Sequence, residues 1–98
     1  MENIIAETIL KQLGGWDRLV SMINAKNPIN LFEGLSFRFS GSKITNHISI
    51  VLQANDTYSI EFGKIREIKY ESVKRIHDIY AENLVNVIED TTGLYLSI

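Results

Sequence analysis

Apolar and polar residues alternate along three stretches of the chain, Leu35–Phe39, Ile44–Leu52 and Tyr58–Phe62. A period of two puts successive side chains on opposite faces of a strand. The breaks between them, Gly41-Ser42-Lys43 and Ala54-Asn55-Asp56, carry the residues that turns require. Leu35, Phe37 and Phe39, then Ile44, Ile48, Ile50 and Leu52, then Tyr58, Ile60 and Phe62 build one apolar face. Asn46 and Val51 break the alternation. The opposite face carries Arg38, Thr45, His47, Ser49, Gln53, Ser59 and Glu61 and no aromatic side chain.

Helical spacing flanks these strands. Ile5, Ala6, Ile9, Leu10 and Leu13 share a face, and Gly14-Gly15 ends that helix because glycine readily takes the left-handed conformation past a C-cap. Trp16, Leu19, Val20 and Ile23 share a face in a second short helical piece, which Asn27-Pro28 stops. Asn30–Gly34 reads as loop. Gly63–Tyr70 reads either as a strand extension past a bulge or as a loop. From Glu71 to Thr91, Val73, Ile76, Tyr80, Ala81, Leu84, Val87 and Ile88 form one stripe at helical angle, with Glu71 and Arg75 as an i,i+4 pair. His77 projects into that stripe. Gly93 fits the C′ position and Leu94 the apolar contact beyond it. The expected architecture is a single α+β domain spanning residues 1–98. It has αβββα order, with a three-stranded antiparallel meander and helices on one face.

Bulk properties narrow the function classes. A chain of 98 residues suits one domain. Without cysteine there is no disulfide framework, thiolate metal site or thiol nucleophile. Met1-Glu2-Asn3-Ile4-Ile5 has no basic n-region and does not read as a signal peptide, and no apolar run reaches membrane-spanning length. A cytoplasmic protein without membrane contact is expected. The formal charge of −2 gives no global steering toward nucleic acid, so such binding needs a local patch.

The chain also resembles a group of short, functionally uncharacterised proteins of bacterial phages, prophages and mobile elements. The resemblance rests on Leu10-Lys11-Gln12-Leu13-Gly14-Gly15, Met22, Ala25-Lys26-Asn27, Leu35-Ser36-Phe37-Arg38, Asp56-Thr57-Tyr58 and Glu61-Phe62. It continues through Tyr80-Ala81 and the ending Thr92-Gly93-Leu94-Tyr95-Leu96-Ser97-Ile98. Members of that group read Thr-Gly after the Met and an aromatic after the Asn, where this chain has Ile23-Asn24 and Pro28. The resemblance implies a bacterial or phage origin and an intracellular location. It brings no catalytic residues and no cofactor.

Lys64, Arg66, Lys69, Lys74 and Arg75 place five cations within twelve residues, diluted by Glu67 and Glu71. Basic side chains so gathered can contact phosphates, with Lys43 and Arg38 extending the patch, or simply lie solvated on a connector. The αβββα order is shared with double-stranded-RNA-binding domains, whose Lys-rich helix start is reduced here to Lys74-Arg75. The polar sheet face lacks the aromatics on which an RRM stacks bases. His47 and His77, thirty residues apart, have no metal-ligand spacing. Glu61 with Glu67 or Glu71 is the only carboxylate set resembling a hydrolase pair, and no phosphate-loop or nucleophile-elbow motif is present. Leu94, Tyr95, Leu96 and Ile98 are too apolar for a dangling tail and pack on the domain or on a partner. The expectation is a non-enzymatic accessory protein that binds protein or its own copies. Nucleic-acid binding through Lys64–Arg75 is the alternative.

Overall fold

Five antiparallel strands, rather than three, form the sheet in the computed structural model, which describes residues 4–96. Helices α1 (Ile4–Gln12) and α2 (Trp16–Ile23) lead into β1 (Lys26–Leu31), β2 (Gly34–Arg38), β3 (His47–Leu52), β4 (Tyr58–Arg66) and β5 (Lys69–Ile79). A 3-10 turn (Ala81–Asn83) and helix α3 (Leu84–Thr92) follow. The spatial order β1-β2-β3-β4-β5 equals the chain order, a pure meander. The α+β class and the central strands match the expectation. The three-strand count and the αβββα order do not.

The helix expected over Glu71–Thr91 is two elements, strand β5 and the shorter α3. Two register irregularities explain the difference. The β4–β5 ladder slips between Tyr58 and Ile60 and again between Phe62 and Gly63. Each bulge adds a residue to β5 and flips its alternation, as bulges do. Val73, Ile76 and Tyr80 thereby fall three and four apart, a spacing that imitates a helix. Arg75 accordingly pairs across the sheet with Glu61 and not along a helix with Glu71. Gly63–Tyr70 continues the strand and turns at Glu67-Ile68.

The segment before β2 also differs from the expected loop. Lys26–Leu31 is an edge strand whose pairing with β2 breaks between Lys26 and Ile29, around Pro28. An edge position tolerates proline because its missing N–H is needed by no further strand. Before β3, Ile44 is exposed and Thr45 is fully buried, the reverse of the expected alternation. The Thr45 hydroxyl donates to the Gly63 carbonyl at 2.6 Å, so the strand proper starts only at His47.

One core unites the helices with one sheet face. Ala6, Ile9, Leu13, Leu19, Ile23, Leu84 and Ile88 from the helices meet Leu35, Phe37, Ile48, Ile50, Ile60 and Phe62 from the strands. Cross-strand partners Phe37–Ile48–Phe62 and Leu35–Ile50–Ile60 keep these side chains in rows. Trp16 lies edge-on to Phe37 with ring centroids 5.9 Å apart, a favourable aromatic arrangement. Gly14 and Gly15, at φ 99° and 95°, end α1, and Gly93 at φ 76° caps α3. Both glycine assignments agree with the sequence.

Candidate functional site

Strand β4 is nine residues long, but its pairing with β3 stops at His47–Gly63. Beyond that point β4 and β5 run on as a two-stranded ribbon through Lys64–Glu71, Ile65–Tyr70 and Arg66–Lys69. Its base is fastened by Asn46. The Asn46 amide donates to the Ile65 carbonyl at 2.9 Å and accepts from the Ile65 N–H at 2.8 Å. One side chain thus replaces a missing strand, satisfying both backbone groups. Lys64 Nζ donates to the Lys43 carbonyl at 3.2 Å, which holds the β2–β3 loop against the ribbon.

The register sorts the basic residues by face. Phe62 and Lys64 lie two apart on β4, where side chains share a face, and their partners are Lys74 and Glu71. Arg66 and its partner Lys69 follow on that same face. Four cations therefore line one side of the ribbon with Glu71 the single carboxylate among them. Arg75 joins the opposite face instead, bonded to Glu61, and this is the one ion pair among the described residues. Arg38 also belongs to that opposite face, beside His47. The predicted patch thus divides: Lys64, Arg66, Lys69 and Lys74 come together, with Lys43 next to them, while Arg38 and Arg75 lie on the other side.

That other side is the open face of the sheet. Tyr70 lies over Gly63, where an added Cβ would collide with the ring, so only glycine lets the ring settle there. The phenol donates to Glu61 Oε2, while Arg75 Nε donates to Glu61 Oε1 at 3.0 Å. These two bonds, Tyr70 first, hold the Glu61 carboxyl below its usual range. Burial, and then the bond to Glu61, push the Tyr70 phenol up to about 12. His47 stacks edge-on against Tyr70 at 5.6 Å, and its Nδ1 is buried with no hydrogen-bond partner. Burial and the neighbouring Arg38 lower the His47 pKa, with Glu61 opposing them. Next to this group a shallow depression of about 230 Å³ is lined by Ser49, Val51, Ser59, Glu61, Arg75 and His77.

Several expectations change here. The polar face does carry an aromatic, Tyr70, supplied by a strand whose sequence reads as loop and helix. His77 is exposed on β5 rather than set in a helical apolar stripe. The C-terminal segment folds back on its own domain. Leu96 is 1% exposed and its N–H donates to Glu89 Oε2 at 2.9 Å; Leu94 is half-buried against Gly41. Tyr95 alone of that set is exposed, and Ile98 lies outside the described residues. Asn46, Tyr70 and Ile68 do not stand out as site residues in the sequence. The only signal for Asn46 is its failure to fit the strand alternation.

Among the described residues no group of three or more His, Asp or Glu side chains could hold a metal ion. No helix among them is long and apolar enough to cross a membrane. Comparison with protein-family models, curated proteins and solved structures finds no match to this chain.

Proposed function

We propose that this protein is a non-enzymatic, cytoplasmic accessory module of a phage or mobile element that binds the phosphate backbone of nucleic acid through the β4–β5 ribbon. The observation that carries the reading is the shared face of Lys64, Arg66, Lys69 and Lys74, none of them in an ion pair among the described residues. Cations left unpaired on a projecting ribbon keep their charge for an external anion. A molecule with net charge −2 has to concentrate its attraction in such a patch. Tucking Leu94 and Leu96 into the domain weakens the competing case for a C-terminal partner surface.

The test is a salt titration of binding to labelled duplexes. Contacts from four cations give a slope of log affinity against log salt of roughly −3 to −4. Changing Arg66, Lys69 and Lys74 together to Glu abolishes binding at moderate salt. Unchanged binding by that variant removes the reading.

A second reading, contact with protein or a second copy of this chain, draws on the polar depression bounded by Glu61, Arg75 and His77 on the open face. It predicts a mass above the monomer by light scattering that falls on Arg75→Glu. A monomeric mass at every concentration removes self-association.

A further inference from the structure

The ribbon ends in a two-residue turn, Glu67-Ile68, between the partners Arg66 and Lys69. Turns this tight favour Gly, Asn or Asp, because the backbone visits positive φ and the side chains face water. Here Glu67 sits at φ 55° and Ile68 is 98% exposed, so both residues work against the turn. Nothing in the core recovers that cost, since Ile68 touches none of it. A second hairpin tip, Phe32-Glu33, also exposes an apolar side chain, but its Glu33 carbonyl is tied to β3 through Leu52 N–H at 2.8 Å. Its neighbours are Leu31 and Gly34, with no cation beside it. Of these two tips, the Ile68 tip is the one that combines an exposed aliphatic group with flanking Arg66 and Lys69, beside the carboxylate of Glu67.

Resting on the nucleic-acid reading above, we infer that the ribbon enters the minor groove of duplex DNA and inserts Ile68 between base steps as a wedge. Beyond the Asn46 clamp at Ile65, Arg66 and the turn residue Glu67 project by about 7 Å at ~3.3 Å per residue, and the Ile68 side chain adds to that reach. A minor groove roughly 7.5 Å deep is within that reach. Its width, roughly 6 Å, is too small for a ribbon with side chains, so the groove opens and the duplex kinks toward the major groove. Ile68 occupies the unstacked step while Arg66 and Lys69 meet the flanking phosphates. Asn46 makes the device stiff enough to transmit the bend, because it fixes the ribbon base at Ile65.

The experiment compares wild type, Ile68→Ala and the Arg66/Lys69/Lys74→Glu variant on a short duplex with donor and acceptor dyes at its ends. Since Ile68 is exposed, Ile68→Ala leaves the melting temperature unchanged, which is checked first. Wild type shortens the end-to-end distance. Ile68→Ala keeps the salt slope, loses most of the shortening and binds about tenfold more weakly. A wild-type bend in Ile68→Ala overturns the wedge and leaves phosphate binding standing. Wild-type binding by the charge variant overturns the parent reading as well. Preference for single strands over the duplex overturns the wedge. Ile68-dependent binding to phosphatidylserine vesicles without duplex binding replaces both with a membrane surface.

Discussion

One face of strand β4 changes character half-way along. Tyr58, Ile60 and Phe62 on that face are buried under the helices, whereas Lys64 and Arg66, continuing the same row, leave the core. Pairing with β5 runs along both halves, with a bulge between Phe62 and Gly63 at their junction. The helix layer covers only the first half. A single strand therefore serves as a core element at one end and as a projecting arm at the other, and the switch lies at Gly63. There Gly63 also lets Tyr70 close over the opposite face, bracing the arm where it leaves the sheet.

The largest expected difference between these halves is in stability. Phe62 is fully buried, so Phe62→Ala costs about 3–5 kcal/mol through lost burial and a residual cavity. Arg66→Ala, or Lys69→Ala at its exposed β5 partner, costs less than about 0.5 kcal/mol. Urea denaturation of the three variants measures the contrast directly. Equal losses at Phe62 and Arg66 would mean that the core extends along the ribbon.

Asn46→Ala has an intermediate effect, because it strips two hydrogen bonds from the Ile65 backbone at the ribbon base. A loss of about 1–2 kcal/mol is expected. Amide exchange should accelerate at Ile65 while Ile48 and Ile60 stay protected, since the core ladder is untouched. Uniform acceleration across the sheet would show that the arm and the core open together.

The smallest effect belongs to pH. Glu61 has a folded-state pKa below its ordinary value near 4.5, so its contribution is present above that value and is lost as pH falls through the lower, folded one. Tyr70 runs the other way. Its pKa is raised from 10.0 to about 12, so its contribution is complete below pH 10 and is lost as pH rises through about 12. Ultraviolet titration should therefore show a phenol ionising near 12 that disappears in Tyr70→Phe. If Tyr70→Phe leaves the titration curve near that pH unchanged, Tyr70 does not brace Glu61.

Much of the first half of β4 was legible in advance, and little of the second. Tyr58, Ile60 and Phe62 alternate cleanly because each faces a covered core on one side and solvent on the other. The residues of β5 have no such filter. Nearly all are exposed, so their order carries little periodic constraint. The two bulges then shift the few apolar residues into helix-like spacing. Pro28 and the exposed residues of β1 hid the first strand for a similar reason. For the candidate site, the basic residues were visible in sequence, but their division between two faces was not. Arg75 follows Lys74 in the chain and yet points to the other side of the sheet, toward Glu61.

Local chemistry alone determined the glycine stops at Gly14, Gly15 and Gly93, the Ala54-Asn55-Asp56 turn, the apolar rows of the central strands and the supply of cations between Lys64 and Arg75. These depend on conformational preference and on alternation, which are written residue by residue. Tertiary structure decided the two outer strands β1 and β5, the burial of Leu96, and which cations stand together on the arm. Those outcomes depend on strand register and on where the helix layer ends, quantities set by partners distant in the chain.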